Sequence, residues 1–325
     1  MKTRGMTPFR SGITCALIIV LYMGASLLVS LAARRGGSLS LPILQNILFS
    51  ESIILIPGLI IAVLSGAEVE EIFRFKKIRL KTGVLVVLFM FCIEPLTSLV
   101  NGISLLFSDN IAMDMAEQYL NDDSSFIYVA LVISVIGPLV EELAFRGIIY
   151  AGLRKSGRFF AAILIQAFLF GLMHLNLNQM SYGILLGIAF GILDEVTGSL
   201  WPGIIGHFTV NFGTVINTYV IMKYMPEAFS QEYSKVDILY TLTFFAFLSL
   251  IFTGVAVLLL FSIAKSEPGG RFRLHRIFHT TELKAVNTAG ETVIVKRPGV
   301  ITIPLVIGVI IAIAEITASI VLHIQ

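Results

Sequence analysis

Runs of apolar residues that are long enough to cross a bilayer recur along most of this chain. Only 14% of its 325 residues are charged, whereas a typical soluble domain carries about 25%. A membrane-spanning helix needs about 20 predominantly apolar residues. The sequence therefore predicts an all-α, polytopic transmembrane helical bundle with about eight or nine spans. The candidate spans are residues 12–33, 46–65, 82–107, 126–152, 159–175, 180–196, 203–222, 238–264 and 299–323.

The basic residues are divided unevenly between the two sides that these spans define. With the N-terminus placed in the cytoplasm, 18 lysines and arginines fall on the cytoplasmic side and four on the opposite side. This bias follows the positive-inside rule. The first apolar run has about 20 residues, longer than the 7–15 of a signal peptide, so we expect it to be a retained span. We expect an integral membrane protein with a cytoplasmic N-terminus.

Two basic segments lie outside the predicted spans. Residues 68–81 mix apolar and basic side chains next to a membrane edge, a pattern typical of an interfacial segment bound to anionic lipid. Residues 265–298 contain a basic stretch at 271–276 and two strand-like runs, 283–286 and 292–295, around a turn. This second pattern predicts a small cytoplasmic hairpin.

Three polar clusters interrupt spans that are otherwise apolar. An ionisable side chain in the middle of a bilayer costs roughly 2.5–3.5 kcal/mol even on a lenient scale. Two carboxylates, two imidazoles and a guanidinium therefore need a structural or functional reason to be there. Because each cluster lies on a different span, we expect the fold to bring them together. The clusters are Glu141-Glu142-x-x-x-Arg146, Phe170-x-x-x-His174 and His207-x-x-x-Asn211.

The first cluster separates its two carboxylates by their position on a helix. Glu142 and Arg146 are four residues apart and can form an ion pair on one face. Glu141 points about 100° away from Glu142, which leaves it as the candidate general base. Pro138 has no N–H to donate to the carbonyl of Ser134, so we expect a kink that exposes a polar backbone group beside the carboxylates.

The second and third clusters supply the remaining groups of a hydrolytic site. Two histidines, a glutamate base and an amide donor are the parts needed to activate water and to stabilise an oxyanion. Two histidines and one glutamate also form an incomplete zinc shell, although the helical His-Glu-x-x-His signature is absent. Each polar stripe taken alone also fits hydrogen bonding between helices.

The sixth candidate span carries two overlapping small-residue steps. Such steps let two helices approach closely, so we expect this pattern to serve packing and not chemistry. Asp194 and Glu195 follow it and leave this span short. The glycines are Gly183, Gly187 and Gly191.

The three clusters, in this order on successive regions, resemble the motifs of the CPBP family. This family comprises type II CAAX prenyl endopeptidases and bacterial relatives that process bacteriocins or confer immunity to them. The stretch EELAFRGIIYAGLRK resembles the first motif, FGLMH the second and TGSLWPGIIGHFTVN the third. The resemblance covers roughly residues 82–222, and we expect a bacterial plasma-membrane protein.

This resemblance implies an intramembrane endopeptidase that cleaves a membrane-anchored or lipidated peptide or protein. Glu141 would activate water with help from His174, and Phe170 would pack beside the site. The family is often called a metalloprotease family, yet its glutamate–histidine mechanism can be written without a metal, so the cofactor stays open. The candidate catalytic residues are Glu141, Glu142, Arg146, His174, His207 and Asn211, with His207 and Asn211 as oxyanion donors and Glu142 with Arg146 as organisers.

The predicted division of the chain follows from the extent of the resemblance. Residues 82–222 form the core, residues 1–81 hold the N-terminal spans and a basic segment, and residues 223–325 hold the C-terminal spans with the insert at about 265–298. The expected partners are the bilayer and a membrane-anchored substrate, and no nucleic acid. The alternatives are a non-catalytic membrane regulator, or bacteriocin-immunity-type binding protein, and a transporter, for which we find no convincing internal repeat.

The depth of the third cluster is not settled by the sequence. Along ideal helices, His207 lies only about 9 Å from Trp201, whereas Glu142 lies about 18 Å from Arg154 on the same side. For these residues to meet, either the turn at 153–158 protrudes into the cytoplasm or the seventh span begins deeper.

Overall fold

The computed structural model describes residues 4–34, 43–108, 126–225, 227, 234–279, 284–286, 292–294 and 298–324. Within this part the chain is a bundle of α-helices with one pair of antiparallel strands, which confirms the predicted fold class. The helices are α1 Pro8–Arg34, α2 Ile43–Leu64, α3 Val69–Ile72, α4 Leu80–Ser104, α5 Phe126–Ser156, α6 Phe159–Leu172, α7 Leu177–Thr197, α8 Trp201–Tyr224, α9 Lys235–Ser266, α10 Gly270–Phe278 and α11 Ile303–Ile324.

Each of the nine predicted spans coincides with a helix whose ends differ by a few residues. Seven of these helices are long and apolar enough to cross a membrane. Helix α6 has only 14 residues, fewer than a span requires. More than half of its side chains are buried in the protein, so its length need not match the thickness of the bilayer. The sixth predicted span, α7, is a full 21-residue helix.

Helix α5 carries two wide turns on either side of the paired glutamates. Residues Val132–Ile136 and Leu143–Ile149 are π-helical, and the α-helical turn between them is Gly137–Glu142. Such π-bulges are often found at functional sites. Pro138 lies at the start of the intervening turn and cannot donate a backbone hydrogen bond. The predicted disturbance of this helix thus takes the form of a local widening.

The glycines of α7 pack against α6 at very short range. A Cβ on Gly187 would lie 2.8 Å from Cα of Ala167, and one on Gly183 would lie 3.3 Å from Cα of Gly171. A Cβ on Gly191 would lie 3.1 Å from side-chain atoms of α6. These distances agree with the predicted close packing of the two helices.

The loop between α7 and α8 lies beneath the two basic segments. The Leu200 amide donates to the Arg74 carbonyl at 3.1 Å, and the Ser199 hydroxyl donates to the Lys76 carbonyl at 2.6 Å. On the other side, Nε of Arg273 on α10 donates to the Val196 carbonyl at 2.9 Å. Ser199 and Leu200 are fully buried as a result. The loop that precedes α8 is therefore buried, whereas Trp201, the first residue of α8, is 41% exposed.

The structure of the two basic segments agrees only in part with the prediction. The two predicted strands pair antiparallel, as β1 Lys284–Val286 and β2 Thr292–Ile294, and the predicted turn between them lies outside the described residues. The residues between 68 and 81 do not all face the lipid surface, because Arg74 is 7% exposed and packs against the protein. Lys76 and Lys77 remain exposed. Residues 68–81 therefore pack in part against the protein and are not only an interfacial segment at the lipid surface.

The α6–α7 contact predicts a stability effect at Gly187. Replacing Gly187 by Ala would place a Cβ 2.8 Å from the Ala167 backbone, which has little room to give. We expect Gly187→Ala to lower the free energy of unfolding by about 1–3 kcal/mol, the usual cost of overpacking. The measurement is equilibrium unfolding of the purified protein in detergent. The control is Gly254→Ala on α9, where an added Cβ meets no atom within 4 Å. Equal stability of the two variants would contradict this packing.

Candidate active site

A fully buried ion pair lies at the innermost part of the site. Nη1 of Arg146 lies 2.8 Å from Oε1 of Glu142, and both side chains have no exposed surface. The Arg146 guanidinium also lies against two rings, with Cζ 4.2 Å from the centroid of Phe170 and 5.2 Å from that of Phe190. The predicted pairing of Glu142 with Arg146 is therefore present in a site enclosed by aromatic rings.

His207 lies between the two glutamates of α5. Its Nδ1 is 2.9 Å from Oε1 of Glu142, and its Nε2 is 3.4 Å from Oε2 of Glu141. Phe190 stacks on the ring at a centroid distance of 5.0 Å. The sequence indicates no local partner for Glu141, and the structure supplies one from α8. Because the two carboxylates point in different directions, they reach opposite nitrogens of one imidazole.

The two glutamates differ in exposure. The Glu142 side chain is completely buried, whereas 17% of the Glu141 side chain is exposed. A group that activates water must be accessible to it. Of the two, Glu141 is therefore the carboxylate that a water molecule can reach, and Glu142 is held in the interior.

His174 joins the cluster through Phe170. The ring of Phe170 makes edge-on contacts with His174 at a centroid distance of 5.3 Å and with His207 at 5.7 Å. Nδ1 of His174 is 3.0 Å from the carbonyl of Phe170, so Nε2 is the nitrogen left for other contacts. His174 follows the C-terminal end of α6, where it is half-buried.

Asn211 lies one turn beyond His207 on α8. Its Nδ2 donates to the carbonyl of Ile133 at 3.0 Å, in the first π-turn of α5. The sequence predicts an exposed carbonyl at Ser134, and the carbonyl that Asn211 binds is that of the preceding residue. A π-turn shifts the hydrogen-bond register by one residue, so the N–H that Pro138 lacks would in this register have paired with the Ile133 carbonyl.

Two further polar residues belong to the site and are not among the predicted catalytic residues. Oδ1 of Asp194 accepts the Gly203 amide at 2.7 Å, and a Cβ on Gly203 would lie 2.8–2.9 Å from Asp194 and from Oε2 of Glu142. In the amide orientation that satisfies both of its polar atoms, Oε1 of Gln166 is 3.3 Å from Nε of Arg146. Gln166 lies on the same helical face as Phe170, four residues earlier, so its place in the site could have been predicted from the sequence. No comparable spacing connects Asp194 to the three clusters.

The arrangement does not form an evident metal-binding site. Among the described residues, no three His, Cys, Asp or Glu side chains are grouped as metal ligands. One nitrogen of His207 is taken by Glu142, and one nitrogen of His174 is taken by a backbone carbonyl. We therefore derive no chemical step through a metal from these side chains.

Comparison with known proteins agrees with the motifs. A family model described as Type II CAAX prenyl endopeptidase Rce1-like matches residues 123–213, the range that contains all six candidate catalytic residues. Putative membrane peptidase YdiL of Bacillus subtilis (strain 168) is 30% identical over 102 residues, which are 31% of this chain and 42% of that protein. The chain thus matches less than half of the length of that relative. No solved structure matches significantly. The predicted family resemblance is confirmed.

The buried ion pair predicts a specific pattern of stability. Replacing Arg146 by Met leaves the Glu142 carboxylate buried without its cation, which costs about 3–5 kcal/mol. The double variant Arg146→Met/Glu142→Gln removes both charges, so we expect it to lose less than the sum of the two single losses. The measurement is equilibrium unfolding in detergent. The matched control is Arg158→Met, because Arg158 is exposed. If Arg146→Met is as mild as Arg158→Met, the pair does not stabilise this core.

Proposed function

We propose that this protein is an intramembrane endopeptidase that hydrolyses a peptide bond of a membrane-anchored or lipidated substrate. The observation that carries the proposal is the position of His207, with one ring nitrogen 2.9 Å from buried Glu142 and the other 3.4 Å from accessible Glu141. A base next to an imidazole that a second carboxylate orients is an arrangement suited to hydrolysis. The family resemblance of residues 123–213 supports the same reaction class.

Glu141 is the general base in this proposal. It takes a proton from a water molecule, and the water oxygen attacks the carbonyl carbon of the scissile bond. The same proton is then delivered to the nitrogen of the leaving amine, which breaks the peptide bond and restores the carboxylate. His174 assists by holding the water through Nε2, since its Nδ1 faces the Phe170 carbonyl. General acid–base catalysis of this kind contributes roughly 10²–10⁴-fold.

His207 and Asn211 stabilise the negative charge that develops on the carbonyl oxygen. In this role Nδ1 of His207 stays on Glu142, and Nε2 donates to the oxyanion, which forms beside Glu141. Asn211 has two amide protons, one of which donates to the Ile133 carbonyl. The second is free for the oxyanion without the loss of the first bond. Such donors act strongly because they are already in place before the charge forms.

Glu142 and Arg146 are positioning residues in this proposal. Their side chains are fully buried, and neither can touch a substrate without rearrangement of the core. Arg146 fixes Glu142, Glu142 fixes the orientation of His207, and Phe170 packs between Arg146 and the two histidines. Orientation of an imidazole by a buried carboxylate defines which nitrogen faces the reaction.

We further propose that the protein resides in a bacterial plasma membrane with its N-terminus in the cytoplasm. The excess of lysine and arginine on one side supports this orientation. The substrate would enter from the cytoplasmic side or laterally.

Substitution at Glu141 tests the proposed reaction. We expect Glu141→Gln to lower cleavage by at least about 100-fold, because glutamine cannot take the proton of the water. We expect the variant to fold normally, since Glu141 is partly exposed and glutamine has the same size. The measurement is quantitative proteomics of membranes that contain wild type or variant, in a search for peptides trimmed only in the wild type.

The matched control is Glu94→Gln, which makes the same chemical change at an exposed position on another span, α4. Peptides that vanish with Glu141→Gln and persist with Glu94→Gln are the substrates. Trimming that survives both Glu141→Gln and His174→Ala would show that these residues do not carry a peptidase activity. A cellular effect that persists in those variants would favour a non-catalytic regulator instead.

The orientation has its own test. Arg271 is exposed at the beginning of α10, so a cysteine there is reachable by aqueous reagents. We expect Arg271→Cys to react with a membrane-impermeant maleimide only after the cells are permeabilised. The native cysteines lie within spans α1 and α4 and serve as the background in wild type. Labelling of intact cells would reverse the proposed topology.

A further inference from the structure

A second buried polar cluster lies on the basic side of the protein, outside the candidate active site. Its centre is the carboxylate of Glu195 at the end of α7, which has no exposed surface. Oε1 accepts from Nη2 of Arg276 at 2.6 Å and from Nη2 of Arg154 at 3.1 Å. Oε2 accepts from the Tyr150 hydroxyl at 3.1 Å and faces Nη1 of Arg74 at 3.5 Å. We call Arg74, Arg154, Arg276 and Glu195 the arginine cluster.

The arginine cluster has more positive than negative charge. Its three guanidinium groups share one carboxylate. Asp194 attracts Arg74 from farther away, but its Oδ1 is occupied by the Gly203 amide. Even with Asp194 counted, the cations among the described residues of this cluster outnumber the anions. Burial and the neighbouring Arg154 lower the pKa of Arg74, which reflects the cost of charging this position.

Several hydrogen-bond donors of the arginine cluster are buried without an acceptor. They are Nε and Nη2 of Arg74, Nε of Arg154 and Nε of Arg276. Buried polar groups are nearly always hydrogen-bonded, and an unsatisfied charged donor is especially costly. The combination of excess positive charge and unsatisfied guanidinium donors indicates that an anionic acceptor completes this cluster.

The cluster opens to the surface at two of its arginines. The side chain of Arg154 is 26% exposed and that of Arg276 is 25% exposed. The ring of Phe159 holds both guanidinium groups in place, with its centroid 4.1 Å from Cζ of Arg276 and 5.7 Å from Cζ of Arg154. Planar guanidinium groups that are held in this way are suited to bidentate contacts with a phosphate.

Exposed aromatic rings border this opening. Phe272 is 66% exposed, with its centroid 5.9 Å from Cζ of Arg276, and Phe278 is 56% exposed and packs on Phe160. Basic side chains next to apolar rings are characteristic of a helix at a membrane interface. The opening therefore combines guanidinium donors that lack an acceptor with a border of exposed aromatic rings. It lies on the face of the protein where the basic residues collect.

We propose that the arginine cluster binds a phosphate group, and that the headgroup of an anionic phospholipid supplies it. The phosphate binds Arg154 and Arg276, the two arginines of the cluster that reach the surface and whose Nε atoms have no acceptor, and the acyl chains run along Phe160 and Phe278. The lipid is favoured over a soluble phosphate by these exposed rings and by the position at the membrane surface. The bound lipid thus links α5 with α10. This site is independent of the proposed peptidase reaction.

The experiment measures the thermal unfolding midpoint and retained ligands of the purified full-length protein in detergent. The probes are phosphatidylglycerol, diacylglycerol with the same acyl chains, and inorganic phosphate. We expect phosphatidylglycerol to raise the midpoint and to remain bound in native mass spectrometry, and diacylglycerol to do neither. Stabilisation by inorganic phosphate without any by phosphatidylglycerol would identify a soluble phosphate ligand and overturn the lipid assignment. No stabilisation by either phosphate-bearing probe would overturn the site.

The matched variants are Arg276→Gln and Arg271→Gln, which remove one positive charge each from the same helix. Of these two residues, Arg276 contacts Glu195, whereas Arg271 is exposed. We expect Arg276→Gln to weaken phosphatidylglycerol binding about tenfold or more, as loss of a charged hydrogen bond does, and Arg271→Gln to leave it nearly unchanged. Equal effects would mean that general surface charge holds the lipid and that no specific site exists.

A third variant keeps the test valid if Arg276→Gln folds poorly. Glu195→Gln removes the internal anion, so a phosphate would meet less competition for the arginines. We expect this variant to be less stable than wild type without lipid, yet to bind phosphatidylglycerol at least as tightly. Loss of binding in the folded Glu195→Gln protein would show that the arginines serve packing alone.

Discussion

The cost of an unpaired charge in the membrane interior is the constraint on which this structure depends. Glu142 is fully buried at the centre of the bundle, where an isolated carboxylate would be strongly unfavourable. Arg146 neutralises it from the same helix, and His207 reaches it from α8. Because these three groups must meet, the packing of α5 against α8 is fixed in depth and rotation. The aromatic rings of Phe170 and Phe190 then exclude solvent from the contact.

Helix α7 connects the site to the basic surface through a second set of buried carboxylates. Its last turn carries two consecutive buried carboxylates with different partners. Asp194 accepts the Gly203 amide at the start of α8, close to Glu142. Glu195 holds Tyr150 on α5 and the arginines of three separate segments. The segments that cover the loop before α8 are therefore attached to the same helix that borders the site.

The sequence predicts those features that depend on neighbouring residues along the chain. Spans follow from apolar length, and the Glu142–Arg146 pair follows from a separation of four residues. Contacts between distant residues are not readable in this way. Glu195 meets Arg74 across 121 positions and Arg276 across 81, and no spacing rule connects them. The position of His207 between two carboxylates likewise depends on the π-turns of α5, which the sequence indicates only through Pro138.

The contrast between the two adjacent glutamates follows from the same constraint. A carboxylate that fixes the geometry of the site must be buried. A buried charge cannot separate from its partners without a large cost in free energy, so those partners stay in place. Hydrolysis requires an accessible carboxylate, because water must reach it. One residue cannot meet both demands, and consecutive residues of a helix that point in different directions can. His207 connects the two, since its nitrogens reach the buried and the accessible carboxylate at once. The site thus separates the group that sets geometry from the group proposed to perform chemistry.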